Sequence, residues 1–250
     1  MSQITRVRRH DRFKTIHASA ARATPSPAED GDSIQPTERL SRSRRDVGEP
    51  DKYWPQHSTL KIAMYDYEMD DPYVQAVKQA ASEWLPHINL KFEFVSGEEG
   101  DVRISGVPIH QGSGVSMVGT DAQKVSPGMP TMNLPIDYSS TSFAHTVLHE
   151  FGHMLGARHA HQHPDANIPW DLAKLDRHIP RHYQQANLLP LPRSATYDFL
   201  PYDEDSAMHY AINPALTTSN TFHSRNSMLS PGDIAWANKA YPKAARRTGT

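Results

Sequence analysis

The sequence predicts an α/β domain in which a twisted mixed sheet is backed by helices. Three observations predict it. Short stretches of period-two alternation recur between Thr59 and Leu134, each about as long as a strand. A helix with an apolar stripe separates the first stretch from the second. After the last comes a longer helix bearing two histidines four residues apart.

In chain order, Thr59-Leu60-Lys61-Ile62-Ala63-Met64-Tyr65 alternates as a first strand behind Trp54-Pro55. Asp71 then caps a helix that has Pro72 at its first position and Val74, Val77, Ala81 and Trp84 along one side. Leu90, Phe92 and Phe94 alternate with Lys91 and Glu93, predicting a second strand with one buried face. Val102 and Ile104 flank Arg103 in a third. Ser113 to Gly119, around Val115 and Met117, reads as an edge strand, and Thr131 to Leu134 as a further strand. The histidine helix starts near Ser140 to Ser142, with Phe143, Val147, Phe151 and Met154 on its inner side. Residues 171 to 186 predict one helix or two short helical turns. Ser230, Pro231 and Asp233 make a capping-box-like start to a closing helix that runs through Ile234, Ala237 and Tyr241 to Pro242.

The chemistry concentrates in His149-Glu150-Phe151-Gly152-His153-Met154-Leu155-Gly156-Ala157-Arg158-His159. At 3.6 residues per turn His149 and His153 share a helix face, so both reach one metal ion without bending the backbone. Gly156 stands where the helix must stop, and glycine enters a left-handed turn without steric penalty. That turn redirects the chain and brings His159 back to the same ion. Three neutral imidazoles leave a fourth tetrahedral position open, the pattern of a catalytic zinc rather than a structural one. Glu150 stands ready to take a proton from a water there. His145, one turn ahead of His149, reads as a packed or exposed histidine, and His161 and His163 read as loop residues, because three ligands suffice.

Composition bounds the rest. The chain has 250 residues and a net charge of −2, which gives no reason to expect nucleic acid as a partner. It holds no run of 18 apolar residues and so no expected membrane span, and it has no cysteine to form disulfides. The first 50 residues carry 10 basic and seven acidic side chains, a balance of +3 against −5 for the remainder. The stretch Ala23 to Asp32 has almost nothing to bury. We therefore expect a basic N-terminal extension or pro-segment over residues 1–52, a catalytic domain over 53–243 and a tail over 244–250. No apolar segment follows Met1, so no standard signal peptide is expected, which leaves export by another route or an intracellular location.

With every fixed position of His-Glu-x-x-His-x-x-Gly-x-x-His present, the chain resembles the metzincin family of zinc metallopeptidases. Ser206-Ala207-Met208-His209-Tyr210 resembles the Ser-x-Met-His-Tyr turn of its astacin-like branch. The likeness runs from about Trp54 to Pro242. It implies a zincin fold: a five-stranded mixed sheet with an antiparallel edge strand that aligns an extended peptide, helices behind, and an active-site cleft between two subdomains. It implies one catalytic Zn2+ on His149, His153 and His159, Glu150 as general base, Met208 beneath the ligands, and Tyr210 offering its hydroxyl to the developing oxyanion. Zinc-dependent endopeptidase activity on a polypeptide, by a monomer, is the expectation. The alternatives are a non-hydrolytic zinc-dependent peptide-binding protein and an exported effector or toxin protease with a narrow substrate. One departure stands out: astacins carry glutamate after the third histidine, and this chain has Ala160. Asp30 or Asp32 is a candidate for blocking the zinc in a precursor.

Overall fold

The computed structural model describes residues 46–107 and 113–243. The expected linker at 23–32, the candidates Asp30 and Asp32, and the tail from residue 244 lie outside the described residues. The chain opens on a two-residue strand, β1 (Val47–Gly48), followed by β2 (Thr59–Met64), α1 (Pro72–Ala81), β3 (Lys91–Ser96) and β4 (Val102–Val107). β5 (Val115–Ser116), β6 (Met132–Pro135) and α2 (Phe143–Met154) come next, then α3 (Leu172–His178), α4 (Arg181–Asn187), β7 (Asp198–Phe199) and α5 (Pro231–Ala240). Among the described residues no helix is long and apolar enough to cross a membrane.

The main sheet has the order β3-β2-β4-β6-β5. Its first four strands are parallel, and β5 runs antiparallel along the edge formed by β6. The alternation predicts a mixed sheet, and this is the five-stranded form with an antiparallel edge strand that the family resemblance implies. β2 and β4 are interior, so Leu60, Ile62, Met64, Val102 and Ile104 are buried almost completely. The expected buried face of β3 is only partly realised: Leu90 is buried, but Phe92 and Phe94 are half-covered. β3 is the outer strand, and its two phenylalanines meet Phe151 of α2 at ring distances of 5.6 and 6.4 Å. Arg103, between two core residues, is itself buried. Its guanidinium donates to the carbonyls of Met129, Gly100 and Val125, which fastens the loop that leads into β6.

α1 starts as predicted, with the Asp71 carboxylate accepting from the Tyr73 N–H at 2.7 Å. It packs against α2, where Tyr73 meets Phe143 at 5.7 Å. α2 begins at Phe143 after Ser142, but Ser142 already has a helical backbone and makes no side-chain cap. The other end of α2 is held more firmly. Trp54 Nε1–H donates to Met154 O and the Tyr241 hydroxyl to Leu155 O, satisfying carbonyls that a helix end otherwise leaves open. Both donors come from the flanks of the domain, so first segment and last helix together fix the histidine helix.

Residues 171 to 186 resolve into two short helices, α3 and α4, at the shorter end of the expectation. α5 has the full reciprocal capping box between Ser230 and Asp233. Trp236, Ala237, Ala240 and the following Tyr241 are buried, as expected for Ala237 and Tyr241, whereas Ile234 is only half-buried. A small ribbon, β1 against β7, brackets the domain and also carries Asp46 and Val47 into the interior.

Candidate metal centre

The C-terminal end of α2 forms a Schellman turn: Ala157 N–H donates to Gly152 O at 2.9 Å and Gly156 N–H to His153 O at 2.8 Å. Gly156 takes φ +101°, and a Cβ there would lie 2.6 Å from the Tyr53 ring. Only glycine satisfies both demands. The turn returns His159 to the face of α2 that carries His149 and His153, and one nitrogen from each lies within 4.8 Å of the others.

The protonation pattern follows from the outer nitrogens. His149 Nδ1 is 2.9 Å from Ala207 O, His153 Nδ1 2.8 Å from Ala157 O, and His159 Nδ1 3.1 Å from Gln162 Oε1. Each of these oxygens accepts, so each Nδ1 carries the ring proton and each Nε2 is a bare lone pair. His153 Nε2 and His159 Nε2 stand 3.1 Å apart. Two lone pairs at that distance repel unless a cation lies between them. Adding a proton is disfavoured: burial pushes all three imidazoles below their ordinary range, His153 down to about 4. Three neutral, converging, buried nitrogen donors fit a zinc ion.

Glu150 is buried, and its Oε2 has no hydrogen-bond partner. Burial pushes its carboxyl up to about 8. Gly114, at the start of the edge segment, lies directly over it; a Cβ on residue 114 would stand 2.7 Å from Glu150 Oε1. The missing side chain therefore lets the edge strand come down onto the carboxylate.

Met208 is fully buried beneath α2, where a Cβ on Gly152 would be 2.2 Å from its sulfur. Ser206 Oγ accepts from Met208 N–H at 2.9 Å and turns the chain tightly there. Met208 O accepts from Ala160 N–H at 3.1 Å, tying this turn to the third histidine. Tyr210 follows, its ring 5.7 Å from His149 and 4.1 Å from His159. Burial raises its hydroxyl well above the ordinary phenol range, so it is a neutral donor at any working pH.

The expected site residues thus meet in one place. The two histidines expected in a loop, His161 and His163, are buried there, at 1% and 2% exposed. They lie on and just after a 3-10 turn, residues 160–162, that folds under the third histidine, and neither joins the converging trio. His145 is likewise buried, its ring 6.0 Å from His149. Roles at the site for Gln162, Gly114 and Gly152 escape sequence reasoning. Of these, only Gly152 carries a signal, because a glycine inside a helix costs about 1 kcal/mol and calls for a reason such as close approach.

Comparison with known proteins agrees with this geometry. Residues 46–241 match the peptidase family described as Astacin. Two structures of myroilysin are 32% identical to the chain: one has a TM-score of 0.69 over 80% of this chain and 100% of its own, the other 0.58 over 77% and 86%. High choriolytic enzyme 1, a hatching-enzyme zinc-protease from Oryzias latipes (medaka fish), shares the fold at 17% identity, with a TM-score of 0.51 over 75% of this chain and 93% of its own. No curated protein matches. A match over most of the chain, on a fold whose three histidines converge for one zinc ion, leads to one assignment: the chain belongs to the astacin family of zinc metallopeptidases and is a hydrolase of peptide bonds.

Proposed function

We propose that the protein is a zinc-dependent endopeptidase in which His149, His153 and His159 hold the metal, Glu150 is the general base and Tyr210 the oxyanion donor. The observation that carries this reading is the convergence of three bare imidazole nitrogens beside the helix that also presents Glu150, whose buried Oε2 has no hydrogen-bond partner. Bound there, zinc supplies Lewis acidity to the scissile carbonyl. Glu150 takes a proton from the attacking water and later passes it to the leaving amine. Its environment suits both steps, since burial favours the protonated form and a neighbouring cation favours the carboxylate. Tyr210, un-ionised and packed on His149 and His159, donates its hydroxyl proton toward the oxygen that gains charge. Met208 supports the ligands from below. The exposed edge at Val115 and Ser116 offers main-chain groups to an extended peptide. A purely peptide-binding role gives Glu150 nothing to do, and the family does not favour it.

The test uses the purified chain on casein. We expect cleavage that a zinc chelator abolishes, and a loss of about 10²- to 10⁴-fold in Glu150→Gln with zinc content near one per chain in both proteins. Equal cleavage by the two proteins, or cleavage that survives chelation, overturns the reading.

A further inference from the structure

The three converging histidines are held from outside in two different ways. His149 and His153 turn Nδ1 to main-chain carbonyls, Ala207 O and Ala157 O, which a side-chain substitution does not remove. His159 alone among them relies on a side chain, Gln162, whose Oε1 stands 3.1 Å from its Nδ1. Gln162 is completely buried. Its amide has one workable orientation: Nε2 faces Leu189 O at 3.1 Å, and a carbonyl only accepts, so the amide N–H₂ donates there and Oε1 is left to the imidazole. The backbone of Gln162 is gripped as well. Its carbonyl accepts from Leu191 N–H at 2.8 Å, and its N–H donates to His159 O at 3.1 Å. The acceptor that meets His159 is thus fixed from a segment 27 residues further along the chain.

The inner side of the same ring shows what that acceptor prevents. His153 Nε2 and His159 Nε2 are 3.1 Å apart, a hydrogen-bond distance. One proton between them would join the two rings to each other. His153 has none to give, because Ala157 O holds its proton on Nδ1. His159 has one to give, by moving it from Nδ1 to Nε2. With Gln162 in place that move gains one hydrogen bond and loses another, and it sets the bare Nδ1 against a buried Oε1. Without that oxygen the move costs nothing. It adds no charge, so burial does not oppose it as it opposes protonation.

We propose that Gln162 is a positioning residue that keeps the His159 proton on Nδ1 and so prevents His159 from closing onto His153 in place of a metal ion. This rests on the reading of the three histidines as zinc ligands. One hydrogen bond then orients the ring and also keeps the trio from satisfying itself. Of the three outer partners, Gln162 is the one that a substitution replaces directly.

Gln162→Met, unbranched and of similar volume, removes the acceptor and keeps the space filled. In the chelated protein the ¹⁵N shifts of the imidazoles read the tautomer. His159 is expected to be mainly Nδ1–H in the unaltered protein and mainly Nε2–H in Gln162→Met. An unchanged tautomer overturns the proposal, whether or not the protein cleaves anything. In chelator competition, Gln162→Met is expected to bind zinc about 10- to 100-fold more weakly, and equal affinity likewise overturns it. Gln184→Met is the control, since Gln184 is also buried but donates to Asp176 Oδ1 and Ile179 O, away from the histidines. It is expected to lower Tm and to leave zinc affinity as it was. Equal weakening of zinc by the two variants means ordinary packing and overturns the assignment. Absence of casein cleavage by the unaltered protein counts against the hydrolase reading alone, and the tautomer of His159 still decides the role of Gln162.

Discussion

Gly114 shows how much a missing side chain can matter. It lies over Glu150 with no room for a methyl group, since a Cβ would stand 2.7 Å from both Cγ and Oε1 of that residue. The contact is with the carboxylate itself and not with the fold beyond it, because the neighbouring strand is a two-residue edge with Val115 56% exposed. Gly114→Ala should therefore push the carboxylate aside while leaving the core intact. We expect kcat/KM to fall about 10- to 10²-fold, the cost of roughly an ångström of misplacement, with Tm and zinc content close to those of the unaltered protein. Retention of full activity by Gly114→Ala would show that Glu150 needs no fixed place under the edge. Gly152 is the companion case, its hydrogen giving way to the sulfur of Met208. A glycine in mid-helix is a readable anomaly, whereas Gly114 sits among small loop residues and looks like any turn glycine. The difference in legibility comes from context: only a regular element makes its exceptions visible.

Among the elements, the closing helix does more than its sequence announces. Ser230, Pro231 and Asp233 are readable as a helix start, and the capping box is there. What the pattern does not reveal is where the carboxylate of Asp233 reaches. Oδ1 accepts from Ser206 Oγ at 2.7 Å, and Oδ2 from Ala207 N–H at 2.9 Å as well as from Ser230 N–H at 2.7 Å. Ala207 O in turn holds His149 Nδ1, so the cap of α5 orients one of the three converging histidines through one residue. Asp233→Asn sets an amide N–H₂ against one of these donors. We expect a loss of about 2–4 kcal/mol of stability and a 10- to 100-fold weaker grip on zinc, read by thermal unfolding and chelator competition. Ser230→Ala removes the other half of the box and should cost about 1 kcal/mol without changing zinc affinity. If both variants bind zinc as the unaltered protein does, the helix cap and the metal centre are independent. Other elements were legible in proportion to their length. β2, β4 and α1 carry several periods of alternation or stripe. The β1–β7 ribbon has two residues a side and hence no period to read. His161, His163 and Arg103 are polar side chains buried by partners far along the chain, and no local pattern encodes such partners.

At the scale of the whole molecule, the sequence order of strands and helices was enough for the sheet, and the glycine bend enough for the convergence of the histidines. The acceptors that choose their tautomers were not readable, because Ala207 and Gln162 reach the ligands only after the chain has folded back on α2. That late assembly has a thermodynamic consequence. The three nitrogens converge only in the folded chain, so a metal held by them binds the native state and not the unfolded one. Without it, two imidazole lone pairs face each other at 3.1 Å and Glu150 Oε2 stays buried without a hydrogen-bond partner, and both features oppose folding. Disulfides give no compensation, because the chain has no cysteine. Zinc at a thousand times its dissociation constant adds about 4 kcal/mol. For a chain of this size each kcal/mol moves Tm by roughly 2–4 °C. Chelation should then lower Tm by roughly 8–16 °C, and added zinc should restore it. His153→Ala should melt low and ignore the chelator, since it cannot close the trio. A melting temperature that does not respond to chelation in the unaltered protein would mean that the fold is complete without the metal and that the three histidines are not its ligands.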